Sequence, residues 1–246
     1  PPAEAGTTNG TPMSFSYRHT EMSIASGSTW INALLSHVPD AHALVVTVAS
    51  TPIASRKNRE FVVAHALHEL RYATLLVDAL SGYEESRDPD ARFDVPRLAA
   101  RLMSAIDWVR HQPGLGHLPL ALLGSNTAAA AVIKIAMQLD PLPFALVTRA
   151  GRIDLAGAAP LRHTLLPVLV VSGGDSDETR GPSELAFELL GGHKEKLDIA
   201  NAGGQFHDTE SLDQFCCAMR AFFETWLQEI HNQDKTTDAN KDMVPH

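Results

Sequence analysis

The sequence predicts an α/β protein: a mostly parallel central sheet with helices on both faces. Two observations carry that prediction. Short runs that are apolar at nearly every position alternate with longer stretches of helical periodicity, so each strand is buried on both faces and each crossover is a helix. One such run, Leu120-Ala121-Leu122-Leu123, enters a turn of small residues that leads directly into the alanine-rich stretch beginning at Ala128.

In chain order, residues 15–24 and 30–35 alternate polar and apolar positions and predict an antiparallel hairpin. Buried strands are expected at 43–49, 73–78, 118–123, 144–149, 167–172 and 196–199, with helices at 58–70, 96–110, 126–139, 182–190 and 209–230. The second helix shows the pattern best: Leu98, Leu102, Ile106 and Val109 recur at helical spacing and form one core-facing stripe. The charged segment 83–94 reads as a surface excursion. Residues 1–12 and 232–246 read as flexible tails around a single domain at 13–231.

The chain has 246 residues, 44% of them hydrophobic, enough to bury the core of one large domain. The net charge of −9, with no basic stripe, argues against a nucleic-acid partner. No apolar run approaches the ~20 residues that cross a bilayer. Cys216 and Cys217 are adjacent, which excludes a disulfide framework and fits a reducing, cytoplasmic setting. The chain starts at Pro1, so secretion stays open. No histidine shows metal-ligand spacing with a carboxylate, and His65 and His68 are expected on a helix surface. No glycine-rich phosphate loop is present, so no cofactor is expected.

The turn after Leu123 carries the chemistry. Its spacing is that of a nucleophile elbow, small-x-nucleophile-x-small, in which crowded backbones admit only small residues two before and two after the apex. Gly124 and Ala128 meet that demand and put Asn126 at the apex. A frame with Ser125 at the apex would crowd Leu123 and Thr127. An amide is no acyl-transfer nucleophile.

Four further segments complete the pattern. Ser55-Arg56-Lys57-Asn58-Arg59 opens the first helix and Ala73-Thr74-Leu75-Leu76-Val77-Asp78 forms a strand. Thr148-Arg149-Ala150-Gly151-Arg152-Ile153-Asp154-Leu155-Ala156 follows another, and Val170-Val171-Ser172-Gly173-Gly174-Asp175 ends a third. Over residues 43–227 these resemble the α/β-hydrolase superfamily, and within it the dienelactone-hydrolase-like group, including hydrolase domains fused to phosphoribosyltransferases. The resemblance implies a nucleophile, a base, an orienting acid and an oxyanion turn. Asp175 retains the acid. Asn126 stands at the nucleophile position and Gly204 at the base position. The oxyanion turn reads Ser50-Thr51-Pro52, where Pro52 removes one N–H donor.

The expectation is therefore a pseudo-hydrolase that binds a small molecule or a protein partner, or self-associates through apolar residues of the last helix. Arg149, Ser50 and Thr127 are its candidate ligand contacts, with a local Arg152–Asp154 ion pair expected nearby. Two alternatives stay open. One is an ester or lactone hydrolase that uses Asp175, His207 as a rescue base, and Ser125. The other is a lyase or isomerase in which Asn126 polarises a carbonyl.

Overall fold

A computed structural model describes residues 16–49, 59–173, 177–200, 202, 206 and 208–241. Strands β1 (Arg18–Ser26) and β2 (Thr29–His37) form the expected hairpin, reversing at Gly27 with φ 60°. Ile24, Ile31, Ala33 and Leu35 point one way into the core, the alternation that predicted them. Then come β3 (Ala43–Ala49), α1 (Arg59–His68), β4 (Tyr72–Asp78), α2 (Gly82–Arg87) and α3 (Val95–Arg110). β5 (Leu120–Ser125), α4 (Ala128–Ala136), β6 (Ala145–Arg149), α5 (Ala158–His163) and β7 (Val168–Gly173) follow. The chain continues through α6 (Asp177–Leu189), β8 (Lys194–Ile199) and α7 (Thr209–Lys241).

The sheet order is β1-β2-β4-β3-β5-β6-β7-β8; β1 and β2 run antiparallel to their neighbours and every other pairing is parallel. Every residue of β3, β5 and β6 is buried, as strands covered on both faces must be. One core layer places α3 and α4 against Val46, Leu75 and Leu122; the other places α1 and α7 against Val45, Leu123 and Val147. In α3, Asp94 accepts a hydrogen bond from the Arg97 N–H at 3.1 Å and Pro96 occupies the first turn, so its start is defined chemically.

Two expectations change. β8 is an edge strand rather than a buried one: Ile199 alone is fully buried, and Lys194, Glu195 and Lys196 carry charge along its exposed length. The segment 83–94 lies at the surface as expected, Ala91 alone being buried, and α2 and a 3-10 turn at Pro89–Phe93 fill it. Ser81 and Glu84 form a reciprocal capping box, and the Glu84 carboxylate also receives Arg101 Nη1 at 2.9 Å. Arg101 in turn donates to the Ala79 carbonyl at 2.6 Å, tying this excursion to the core. Finally, α7 runs past the expected helix end at 230 and continues to Lys241, with Thr236 Oγ1 bonded to the Asn232 carbonyl at 2.9 Å. Among the described residues no helix is long and apolar enough to cross a membrane.

Candidate functional site

The β5–α4 turn has the strained geometry that its composition requires. Asn126 takes φ 51°, the left-handed region that asparagine tolerates better than most side chains. A Cβ on Gly124 would stand 2.7 Å from Ala129 Cα and 2.9 Å from Val132 Cγ2, so only glycine fits beneath the departing helix. Ala128 is fully buried on the other side of the apex. Turn and sheet are stitched together: Asn126 N–H donates to the Arg149 carbonyl at 3.2 Å, and the Asn126 carbonyl accepts from Ala129 N at 3.2 Å and Arg152 N at 3.0 Å. The neighbouring β6 turn presses on the same helix, because a Cβ on Gly151 would lie 2.6 Å from Ala129 Cβ.

Asn126 itself is half-buried, and among the described residues its side chain makes no hydrogen bond. Its amide is therefore available at the carboxyl end of the parallel strands, where open α/β sheets bind ligands. Ser125 points away from this apex. It is buried, and its Oγ donates to Glu60 Oε1 at 3.4 Å.

The structure moves two candidate ligand contacts into the interior. Arg149 is 3% exposed; its guanidinium pairs with Glu60 on α1 and lies 5.4 Å from the centre of the Phe215 ring on α7. Its Nη1 has no hydrogen-bond partner. Thr127 is 4% exposed at the start of α4. Their positions explain this: Arg149 ends β6 on the face that α1 and α7 cover, and Thr127 turns beneath the apex. Arg152 instead makes the expected local pair, donating from Nε and Nη2 to the Asp154 carboxylate at 2.9 and 2.8 Å. Ser50, Asp175, Gly204 and His207 lie outside the described residues.

Glu60 is the residue that sequence reasoning missed. An acid in the first turn of a helix is usually a solvated partner of the helix dipole, so nothing in its spacing marks it. Here it is buried, and it links α1 to the ends of both β5 and β6. The cluster places a second basic group close by: burial first, then the Arg149 charge, lowers the pKa of Arg59.

Cys216 is buried on α7, and that burial pushes its thiol pKa up to about 12. Phe206, wholly buried with φ 54°, packs edge-on to Phe215. Just beyond it the Asp208 carboxylate caps α7 by accepting from Ser211 N at 2.7 Å. His65 is exposed as expected. His68 is half-buried: it stacks on Tyr17 with ring centres 4.0 Å apart and shares a hydrogen bond of 3.0 Å with Thr74. Among the described residues no three metal-binding side chains converge.

No family model matches the chain. It is 30% identical over 198 residues to two Mycobacterium tuberculosis proteins named as phosphoribosyl transferases, from strains CDC 1551 and H37Rv. The match takes in 80% of this chain, but the chain spans only 44% of those proteins. Among solved structures, a dienelactone hydrolase from Anabaena variabilis superposes with a TM-score of 0.76 at 29% identity, covering 85% of this chain and 98% of its own. A dienelactone hydrolase-like promiscuous phosphotriesterase from metagenomic libraries gives a TM-score of 0.68 at 20% identity, covering 85% and 98%. The strand order, the β5–α4 turn and these likenesses agree: the chain has the α/β-hydrolase fold, and among the proteins compared it is similar to dienelactone hydrolases.

Proposed function

We propose that this chain binds a small carbonyl- or carboxylate-bearing molecule at the elbow and does not hydrolyse it. The observation that carries this reading is Asn126 at the apex, fixed there by its own positive φ and by the crowding at Gly124. An amide donates and accepts hydrogen bonds but does not attack an acyl carbon. The neighbouring hydroxyl offers no substitute, because Ser125 is buried beneath the turn and directed at Glu60.

A second reading rests on the same half-buried, unbonded amide. Held rigidly by the turn, it can polarise a substrate carbonyl, which is the electrostatic part of lyase or isomerase chemistry.

Steady-state hydrolysis of short-chain aryl esters and of a dienelactone, by the native protein and by Asn126→Ser, tests the first reading. The expected result is no turnover above buffer for either protein. A native kcat/KM at or above about 10⁴ M⁻¹s⁻¹, the lower end for working enzymes, would overturn it.

A further inference from the structure

A second concavity lies apart from the elbow, where α1 leaves one face of the β1–β2 hairpin uncovered. It encloses about 320 Å³, at the lower end of ligand-sized cavities, and Asn126 is not among its lining residues. Leu34 on β2, Leu76 on β4 and Phe61 on α1 make an apolar floor. Beside it the strand registers set His19 opposite Ser36, and Ser36 opposite Thr74, which is buried behind the cleft wall. His19 Nδ1 and Ser36 Oγ share a hydrogen bond of 2.7 Å, and His68 Nε2 and Thr74 Oγ1 one of 3.0 Å.

These groups are held in place. Tyr17 stacks on His68 with rings 18° from parallel, and its hydroxyl donates to the His68 carbonyl at 2.9 Å. The His19 and His68 rings stand 6.0 Å apart at 43°, giving the cleft an aromatic wall. Burial lowers the pKa of His68 to about 4, so its imidazole is neutral at neutral pH.

The charge of the lining selects among ligands. Glu21 supplies a carboxylate at the rim, and no lysine or arginine lines the cleft among the described residues. The whole chain, at −9, adds a field that favours cations. A metal ion is a poor fit, because no three of the described histidines, cysteines and carboxylates converge. An apolar floor, aromatic walls and one rim carboxylate match a ring that carries a positive charge.

We propose that the cleft between the β1–β2 hairpin and α1 binds a small organic cation, an ammonium group on a single aromatic ring. The ring lies on Leu34, Leu76 and Phe61, and the ammonium reaches Glu21. The site is independent of the chemistry at Asn126. Phenethylamine and 3-phenylpropanoate, similar in size and opposite in charge, are the probes, titrated into the full chain by calorimetry with ring-proton NMR to locate them.

Phenethylamine is expected to bind, to shift the Tyr17 and His68 ring signals, and to outbind the acid. Glu21→Gln, an exposed change that leaves the fold intact, is expected to weaken it by about fivefold or more, the scale of a charge-assisted contact. Leu34→Trp is expected to abolish binding by filling the floor, with circular dichroism confirming the fold. The proposal is overturned if the acid binds as tightly as the amine, if Glu21→Gln leaves the affinity unchanged, or if the shifts map to the elbow. No binding of phenethylamine up to 10 mM would overturn it equally.

Discussion

Glu60 and Arg149 form an ion pair that water scarcely reaches, and each would be costly to leave alone. Glu60→Gln removes the charge that balances the guanidinium and also disturbs the Ser125 contact. It is expected to lower unfolding free energy by about 3 kcal/mol, measured by urea denaturation. Replacing both partners by methionine is expected to recover most of that loss, since two apolar groups leave no orphaned charge. Asn126 permits a test of backbone strain at the same scale. With φ at 51°, Asn126→Gly is expected to be nearly neutral, and Asn126→Val to cost about 1–2 kcal/mol. The apex was legible in the sequence because the elbow's demand for small flanking residues is local. The pairing of Glu60 with Arg149 was not, because it joins residues 89 positions apart that only the tertiary fold brings together.

Individual elements show why some boundaries were readable and others were not. α3 was anticipated almost to the residue, since Asp94, Pro96 and an unbroken apolar stripe all mark the same helix. α2 was missed because its short run has no buried residue; its stability comes from the Ser81–Glu84 cap and from Arg101. That arrangement is sensitive to acid. The hydrogen bond from Arg101, with those from Ser81, holds the Glu84 carboxyl down to about 2 from its ordinary 4.5. A depressed carboxyl pKa contributes stability that is complete above the unfolded value and fades as pH falls from about 4.5 towards 2. Glu84→Gln is therefore expected to lower Tm at pH 7, by the equivalent of about 1–2 kcal/mol, and to make little difference near pH 2. Thermal melts across that range check the sign. For the elbow helix, Gly124→Ala is expected to cost about 1–3 kcal/mol, because the new methyl meets the backbone of Ala129 rather than a flexible side chain.

At the scale of the whole molecule, the order of elements was readable because each parallel strand is apolar throughout and each crossover is amphipathic. The limits of the last helix were not. Its apolar residues Phe215, Met219, Phe222 and Phe223 are buried against the sheet, and the turns that follow expose polar side chains. Replacing the exposed Asn232, Gln233, Lys235 and Thr236 by alanine is thus expected to shift Tm by no more than about 2 °C, since exposed positions contribute little to stability. The central claim of the proposed function is that the β5–α4 turn presents the amide of Asn126 where a hydrolase of this fold would present its nucleophile. A fluorophosphonate probe, which reacts only with an activated hydroxyl or thiol, tests that most directly through intact-mass spectrometry of the treated protein. The expected result is an unmodified mass after prolonged exposure to excess probe. Stoichiometric labelling mapped to Ser125 would contradict the account, because it would place that buried hydroxyl, and not Asn126, at the working apex.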